Sequence, residues 1–433
     1  MTPPRPRSRP RLAAVARFRG WRALRHHNYR LFFAGQLVSL IGTWMQSVAQ
    51  GWLVLQLTGD PVYLGLVAAA QFTPVLVLGL FGGVIADGLP KRRTLIFTQA
   101  AAMVLALVLF GLTVTDNVGV GQVLGLAFLL GCVNAIDMPT RQAFAVEMVG
   151  RDDIGNAVAL NSAVFNSARV LGPAIAGLTI GATGVASAFL INGVSFIAVI
   201  VAYLRMDGTQ LGGPPTLARP TTVAGVMTHL RVGLAFVRAT PAVLVPILTI
   251  GLVSTFGMNF SVLIPPLAKD VLHVGPTGYG LLMAASGVGS LAASISIAFG
   301  RSNRVMLIGV GASLTGAAEL VLAASGSFAL SLVAMFAAGL GAISMAATAN
   351  TTIQLTVPDE LRGRVMSVYT TVFAGSTPIG GLVAGALASS LGVAEAIGIG
   401  ALLSLVVGLI VVTWYRRAGL AGLASPPAAS TPR

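Results

Sequence analysis

The sequence contains few charged residues for its length. Only 9% of its 433 residues are Asp, Glu, Lys or Arg, against roughly 25% in soluble proteins. Hydrophobic residues make up 55% of the chain, and its mean hydropathy is +0.86. A chain so poor in charge cannot cover itself with a solvated surface, and several apolar runs exceed about 18 residues, long enough to cross a bilayer. The composition therefore predicts a polytopic membrane protein.

Cysteine, lysine and histidine are also scarce, and each scarcity excludes a class of site. Cys132 is the only cysteine, so no intrachain disulfide forms. Neither lysine, Lys91 or Lys269, follows a G-x-x-x-x-G frame, which excludes a Walker P-loop. The four histidines show no zinc-ligand spacing, and no Ser-His-acid arrangement suggests itself. We therefore expect no enzyme, no cofactor and no metal.

The N-terminus is basic and proline-rich, and it lacks the apolar segment of a cleaved signal peptide. The first thirty residues hold nine arginines and the formal net charge is +14. Because aromatic interleaving is slight and no recognition motif follows, we expect no nucleic-acid partner. The tail is expected to touch anionic lipid or to be a solvated basic end.

Apolar runs between breakers predict twelve spanning helices. The predicted spans are 31–57, 62–86, 94–114, 120–139, 156–180, 184–204, 241–268, 276–299, 305–324, 328–353, 365–389 and 393–415. Most connections are short and polar. The exception is "RMDGTQLGGPPTLARPTT" at 205–222, whose Gly-Gly-Pro-Pro core predicts a flexible link. Arg231 and Arg238, seven residues apart in the following segment, predict a helix on the membrane surface.

The distribution of Lys and Arg predicts the orientation of the chain. Of the 27 such residues, only Lys269 falls on the opposite face and only Arg169 falls within a span. The positive-inside rule therefore places both termini in the cytoplasm. The predicted organisation is a basic tail (1–29), a six-helix half (30–205), a cytoplasmic linker with an interfacial helix (206–240), a second six-helix half (241–416) and a cytoplasmic tail (417–433).

The two halves resemble each other. "YLGLVAAA" at 63–70 matches "YGLLMAA" at 279–285, and "RDDIGNAVAL" at 151–160 matches "PDELRGRVMS" at 358–367. The two matches have nearly the same separation, which indicates parallel six-helix repeats. Such repeats form a midplane site between the halves that opens alternately to either side. The expected fold class is an all-α polytopic membrane protein with twelve transmembrane helices in two six-helix pseudo-repeats.

The loop between the second and third spans carries a family resemblance. "GVIADGLPKRR" at 83–93 is similar to the loop signature of the major facilitator superfamily of transporters, with Asp87 and the basic residues Lys91, Arg92 and Arg93. It departs from the signature at Gly88 and Pro90. The resemblance implies the major facilitator fold and a conformational latch role for Asp87 and the basic cluster. Arg92 and Arg93 are equally explained as topology determinants.

The fifth predicted span contains "GPAIAG" at 172–177, similar to the antiporter signature of that superfamily and so pointing to export. The stretches "ALRHHNYRLFFAGQLVSLIGTWMQ" and "NSARVLGP" resemble the enterobactin-exporter-like branch, which contains exporters of siderophores, macrolides and other drugs. Close packing alone also explains Gly172, and Pro173 adds a bend that neighbouring helices tolerate. Asp137 and Arg141 form an i,i+4 ion pair if their helix continues past Pro139; pairing or gating explains them.

Arg169 lies near mid-depth in the fifth span, where a lipid-exposed guanidinium costs from about 3 to above 10 kcal/mol. We therefore expect it to face a cavity or a partner. Asp137 and Glu319 do not match its depth. The hypothesis is that Arg169 recognises an anionic or strongly polar substrate group, or tunes a coupling carboxylate; the alternative is a structural role at carbonyls near Pro173. The other candidate substrate-binding residues are Gln46, Gln50, Asn134, Asn166, Met258, Asn259 and Met345; packing alone also explains the methionines.

The expected function is export of a small molecule, siderophore-like, anionic or drug-like, by alternating access. Proton coupling follows from the resemblance, although no acid lies clearly at mid-membrane. The alternatives are a multidrug facilitator for hydrophobic cations and a non-transporting membrane receptor. The expected partners are the small-molecule substrate, protons and the lipid bilayer. The protein is expected to be a monomer in the bacterial cytoplasmic (inner) membrane.

Overall fold

The computed structural model describes residues 19–211, 223–299 and 305–418. The side chains described within these ranges exclude those at 19, 20, 80–88, 151, 223, 224, 226, 229 and 418. Most of the two predicted tails, the glycine- and proline-rich part of the linker and the side chain of Asp87 therefore lie outside the described part.

Within the described ranges, twelve helices are long and apolar enough to cross a membrane, which confirms the predicted fold class. The described residues contain no β-strand. The helices are α1 (His27–Thr58), α2 (Val62–Gly88), α3 (Lys91–Val114), α4 (Val120–Gly150), α5 (Asp152–Thr183), α6 (Val185–Leu204), α7 (Pro241–Val271), α8 (Gly275–Phe299), α9 (Leu307–Ala324), α10 (Phe328–Thr356), α11 (Asp359–Leu391) and α12 (Val393–Arg417).

Helix α4 extends well beyond its predicted end at residue 139. The chain stays helical through Pro139, and neighbouring elements hold the extension, among them α3 through the ion pair of Lys91 with Glu147. Phe144 and Met148, one turn apart, are both buried on one face of this extension. The helix ends at Gly150, whose φ of +69° lies in the left-handed region that favours glycine.

Helix α7 is interrupted, which the apolar pattern does not predict. Its first segment is Pro241–Phe256 and its second is Phe260–Pro266, followed by a π-helical turn at Leu267–Val271. Met258 and Asn259 lie in the interruption. Non-helical backbone at membrane depth is tolerated where protein covers it or where it lines a cavity.

A separate helix, Val223–Ala239, precedes α7 and is called the connector helix below. Gly233 packs against the backbone of Arg364 in α11, and Val237 is buried. Arg231 and Arg238 are exposed. The helix therefore has one face against the bundle and presents its arginines outward; its position on a membrane surface remains a prediction.

The hydrophobic core divides along the length of the helices. The end that carries Lys91, Arg205, Arg362 and Arg416 is called the basic end, and the opposite end is called the far end. At the far end one core cluster combines residues of both halves, α1–α6 and α7–α12. At the basic end the core consists of two separate clusters, each belonging to one half. The halves are therefore joined at the far end and divided at the basic end.

Candidate functional site

The far-end contacts between the halves form a pseudo-symmetric pair of close helix packings. Gly65 of α2 packs against the backbone of Gly381 in α11, and Gly280 of α8 packs against Pro173 and Gly177 in α5. A methyl group on either Gly65 or Gly280 would meet a neighbouring backbone carbonyl. Since Gly65 and Gly280 are the residues that the internal repeat aligns, the closure at the far end is built from corresponding positions of the two halves.

Polar and aromatic contacts reinforce this closure. The Thr277 hydroxyl donates to the Gly177 carbonyl (3.1 Å), and Lys269 Nζ donates to the carbonyl of Leu55 (3.5 Å). Trp52 of α1 stacks on Tyr279 of α8, with ring centroids 6.2 Å apart. All of these contacts lie toward the far end. They leave the space between the halves accessible from the basic end.

Helix α5 has one face toward this space. Successive residues turn by about 100° around a helix, so Val158, Phe165 and Arg169 point between the side that contacts α1 and the side that contacts α8. Near the basic end this inner face is exposed, 56% at Val158 and 47% at Phe165. Toward the far end it is buried, 0% at Ala176 and 5% at Ile180. The inner face of α5 therefore lines a cavity that closes just beyond Arg169.

Small residues bring α1 and α8 close to α5 at the level of Arg169. A side chain on Gly172 would meet Trp44 and, at 3.0 Å, the carbonyl oxygen of Ile41. A side chain on Gly287 of α8 would meet the carbonyl oxygen of Arg169 at 2.9 Å. Gly172 and Pro173 are therefore buried at helix contacts, as the packing interpretation expects; their predicted part in gating remains a prediction.

The guanidinium of Arg169 has an aromatic neighbour but no anionic one. Its Cζ lies 5.9 Å from the ring centroid of Trp44, within cation–π range. The Trp44 ring meets Phe165 edge to face at 5.8 Å. Among the described side chains, Arg169 makes no ion pair and no hydrogen bond. Five N–H donors of a half-buried side chain are thus free to bind a ligand or water.

The amide side chains predicted to bind substrate divide into two groups. Gln46 is buried against α6, where its Oε1 accepts from Asn192 (2.6 Å), so it packs between helices instead of lining the cavity. Asn166, three residues before Arg169, donates to the carbonyl of Ser162 in its own helix and keeps its oxygen unbound. Gln50 is buried and Asn134 is half-buried, and neither side chain forms a hydrogen bond with another described residue.

The candidates from the second half do not gather around Arg169. Met345 is fully buried in the core of the second half, against Gly311 of α9, as the packing interpretation expects; its part in substrate binding remains a prediction. Asn259 is buried at the α7 interruption, where its amide donates to the Thr255 carbonyl (2.7 Å). Met258 is half-buried, and its sulfur accepts from the Ser254 hydroxyl (3.6 Å). Both residues shape the interruption.

The inner face of α11, the counterpart of α5, is neutral. Thr370, Phe373 and Thr377 lie between its contacts with α7 and with α2. Phe373 and Thr370 are exposed, whereas Ala384 and Ala388, further toward the far end, are buried. The two cavity walls therefore differ in charge. The described wall from α5 carries the cation Arg169, whereas Thr370, Phe373 and Thr377 on the wall from α11 are uncharged.

A buried polar network holds the basic end of the first half together. Asp137 accepts from Thr98 and Gln99 of α3 (2.8 Å each) and forms an ion pair with Arg141 (2.9 Å). Arg141 donates to Gln36 of α1, and Gln36 donates to the hydroxyl of Tyr203 in α6. The ion pair confirms the expectation tied to a helix that continues past Pro139. The network joins four helices, as the pairing interpretation expects; the part of Asp137 and Arg141 in gating remains a prediction.

The basic cluster after α2 is engaged with neighbouring helices. Lys91 is buried in an ion pair with Glu147, in the extension of α4. Arg92 donates to the last carbonyls of α6, those of Tyr203 (2.7 Å) and Leu204 (2.8 Å), whereas Arg93 is exposed. Glu147 was not anticipated because its segment was predicted to be a loop; the spacing of Phe144 and Met148 was the available signal for a helix. The latch role assigned to Asp87, Lys91, Arg92 and Arg93 remains a prediction.

The start of α1 is tied to the segment that follows α6. The Asn28 amide donates to the Asp207 carbonyl (2.8 Å), and the backbone N–H of Asp207 donates back to Asn28 (2.9 Å). Hydrogen bonds from the hydroxyl and the backbone N–H of Thr209 hold the pKa of the Asp207 carboxyl below its usual value. This side chain lies at the basic end, away from the cavity wall.

No group of three His, Cys, Asp or Glu residues in the described ranges has a geometry that holds a metal ion. The described wall of the cavity offers a guanidinium over an indole, an amide at Asn166 and an exposed aromatic ring, all of which are groups that bind ligands. Trp44 and Phe165 were missed by the sequence reasoning, which searched for polar partners of Arg169. The available signal for Trp44 was a tryptophan at nearly the same depth in α1 as Arg169 in α5.

Comparisons with known proteins agree with this architecture. Residues 18–424 match the family described as transmembrane secretion effector. The multidrug efflux pump Tap of Mycolicibacterium fortuitum is 31% identical over 379 residues, which cover 84% of this chain and 89% of that protein. The staphyloferrin A transporter of Staphylococcus aureus is 23% identical over 61% of this chain and 66% of its own length. The crystal structure of the nucleoside transporter NupG superposes with a TM-score of 0.71 at 11% identity, covering 89% of this chain and 98% of that one.

Proposed function

The chain belongs to the transmembrane secretion effector family of major facilitator transporters, and on that premise we propose that it exports a small molecule with an anionic or strongly polar group. It is a multi-pass membrane transporter and not an enzyme. Export runs by alternating access from the cytoplasm, with protons entering in exchange. The observation that carries the proposal is Arg169 on the cavity wall, which forms no ion pair with a described residue and whose Cζ lies over the ring of Trp44.

The unpaired guanidinium supports an anionic substrate group on energetic grounds. A cation at this depth is costly unless water or a partner solvates it. No carboxylate of the described residues pairs with it. A carboxylate or other oxyanion would accept a forked pair of hydrogen bonds from it, which are about twice as strong as neutral ones. We therefore infer that Arg169 binds the anionic group of the substrate and that Trp44, Phe165 and Asn166 lie beside that group.

The direction of transport follows the secretion and efflux relatives, and the separation of the core clusters is consistent with loading from the cytoplasm. The cavity opens at the basic end, which the positive-inside rule places in the cytoplasm of a bacterial inner membrane. A substrate in the cytoplasm then has access to Arg169, and the far-end closure separates it from the outside. Export requires the glycine contacts at Gly65 and Gly280 to separate while the basic ends of the two halves come together.

Uptake into inside-out vesicles tests the proposal, because uptake there corresponds to export from a cell. The panel contains acids, their neutral amides and hydrophobic cations of similar size, each measured with and without an imposed proton gradient. We expect the acids to accumulate in vesicles that contain the protein, and only with the gradient. Accumulation of the amides and cations alone would contradict the proposal. Vesicles without the protein give the background.

A second candidate function is export of hydrophobic cations. The relative named Tap is a multidrug efflux pump, and the exposed aromatic ring of Phe165 on the inner face of α5 suits flat apolar compounds. Under this alternative Arg169 is structural, and the same panel would show accumulation of the cationic members.

A further inference from the structure

Glu319 is a buried carboxyl group that the substrate site does not use. It lies in α9, only 2% exposed, and its Oε1 has no hydrogen-bond partner. A small cavity beside it is otherwise apolar, with walls formed by Phe256, Gly257, Phe260, Leu263, Ile264, Leu322 and Ile397. A charged carboxylate in such surroundings is strongly disfavoured.

No described cation faces Glu319 from the helices packed against α9. Helix α10 carries no charged residue. On α7 the charged residues are Lys269, whose ammonium points to Leu55 of α1, and Asp270 beyond it. On α12 they are Glu395 in the first turn and Arg416 and Arg417 in the last. These surroundings favour the neutral acid over the carboxylate in this conformation.

The interruption of α7 lies directly against this carboxyl group. The nearest side-chain atoms to Gly257 are the Ser404 hydroxyl oxygen and, at 3.3 Å from the position of an added Cβ, Oε2 of Glu319. Gly380 of α11 packs on the Thr255 carbonyl, and Gly400 of α12 packs on the Phe256 carbonyl. The interruption is thus enclosed by three helices, and Glu319 is the titratable group among the residues in contact with it.

The segment of α7 beyond the interruption forms part of the far-end closure. Pro265 lies beside Gly51 of α1, and Lys269 bonds to the end of the same helix. Movement of this segment away from α1 would open the far end. Because the interruption at the start of this segment lies next to Glu319, a movement of the segment about that point would also admit water to the carboxyl group.

We propose that Glu319 is a proton-binding site that controls the closure of the far end through the interruption of α7. The neutral acid packs in the closed conformation. When the far end opens, water reaches the group, and the acid loses its proton to that water and becomes a carboxylate. Closure requires the reverse step, in which the carboxylate takes one proton from the solution. The proton leaves to the far side and returns from it, so the site controls the closure and does not itself carry a proton inward. The site deepens the proposed function and rests on it, because export requires the far end to open.

The sign of the pH effect follows from this cycle. Low pH keeps Glu319 neutral and favours the closed far end, and high pH favours the open far end. For one linked proton, the ratio of open to closed molecules rises by at most about tenfold per pH unit. Replacement by glutamine keeps a neutral side chain of the same shape, so Glu319→Gln is expected to remain closed at every pH.

Distances between two spin labels at the far end test the site without any substrate. In a Cys132→Ala background, Ala182→Cys at the end of α5 and Gly326→Cys before α10 provide exposed labelling positions in opposite halves. The distance between the labels is measured by electron–electron double resonance in nanodiscs, from mildly acidic to mildly alkaline pH. In the labelled protein with Glu319 intact, the fraction of molecules that show the long distance should increase as the pH rises. Glu319→Gln should show the short distance throughout. Glu395→Gln, which neutralises an exposed carboxylate at the same end, should respond like the parent.

A distance distribution that ignores pH in the parent protein would overturn the proposal, as would a Glu319→Gln protein that responds like the parent. Glu319→Asp covers the case in which the glutamine variant does not fold, because it should retain the response with a displaced midpoint; an undisplaced midpoint would count against the site. A parent protein that shows the pH response but accumulates no acid in vesicles would leave the Glu319 site standing and remove the proposed export function.

Discussion

The wall of the cavity places a single guanidinium where a ligand from the basic end reaches it. Trp44 contacts Arg169 from α1 and Phe165 flanks the indole, so the cation is oriented by aromatic rings and its donors remain available. An ion pair would have neutralised the same charge and removed it from ligand binding. The contrast with Arg141, which is tied to Asp137 and Gln36, indicates that the two arginines serve different purposes.

Replacing Trp44 tests the orienting role of the indole. Trp44→Leu removes the cation–π contact, which is worth about 0.5–2 kcal/mol, and should raise the KM for an anionic substrate by roughly 2- to 30-fold. Trp44→Phe keeps an aromatic ring face, so its KM should lie between the KM of the parent and the KM of Trp44→Leu. Initial rates of uptake into inside-out vesicles measure the effect. Phe97→Leu, at an exposed position on α3, is the matched control; an unchanged KM in Trp44→Leu would rule out the contact as part of the site.

Replacing Asp137 tests the network at the basic end. Asp137→Asn leaves Arg141 without its carboxylate in a buried setting, and should lower the free energy of unfolding by roughly 1–3 kcal/mol. Thermal unfolding of the purified protein in detergent measures the loss as a lower Tm. Asp359→Asn breaks the exposed Asp359–Arg362 pair and should leave Tm unchanged. Equal shifts in the two variants would show that burial of the network contributes nothing.

The helices themselves were largely predictable, and the exceptions have physical causes. Twelve spans follow from the lengths of the apolar runs, because the hydrocarbon core requires about 20 apolar residues per helix. The extension of α4 was hidden by Pro139 and by polar residues, whose partners lie on distant segments, as in Lys91–Glu147. The interruption of α7 was hidden because residues 241–268 are almost uniformly apolar, and periodicity carries no signal where every face of a helix is apolar.

The site was predictable only in part, for a related reason. Arg169 stands out in the sequence because a cation in an apolar helix needs an explanation. Gln46 and Met345 were chosen for their depth on helices that the family resemblance expects to line the cavity, and neither depth nor helix number fixes the direction in which a side chain points. Gln46 turns to Asn192 of α6, and Met345 turns to α9. Those directions depend on helix packing, which the sequence of one chain does not display.

Crowding the contact between α5 and α8 tests the role of close packing in closure. Gly280→Ala places a methyl group against Pro173 and Gly177. Overpacking of this kind costs about 1–3 kcal/mol, so the ratio of open to closed far ends should rise by roughly 5- to 150-fold. The spin-label pair described above measures the ratio. Gly125→Ala, where an added Cβ meets nothing within 4 Å, should leave it unchanged; an effect of equal size there would contradict the interpretation.

For the molecule as a whole, the separation of the core into two clusters at one end and their union at the other is consistent with alternating access. The union rests on glycine contacts that occupy corresponding positions of the two halves. Most of the described basic residues lie at the divided end, with Lys269 and Arg169 as exceptions. These two features come from different parts of the sequence, and both are consistent with a cavity that loads from the cytoplasm. The proposed loading of the substrate from the cytoplasm rests on both features together.

The central claim is that Arg169 selects the charge of the transported molecule. The most direct test compares kcat/KM for an acid with kcat/KM for its neutral amide, in inside-out vesicles that contain the parent protein or Arg169→Gln. Hydrogen bonds to charged groups are worth about 1.5–3 kcal/mol, so the parent should prefer the acid by roughly 10- to 150-fold. Arg169→Gln should lose that preference, and Arg93→Gln, which removes an exposed cation, should keep it. An Arg169→Gln protein that is correctly folded and still prefers the acid by the parental factor would contradict the account.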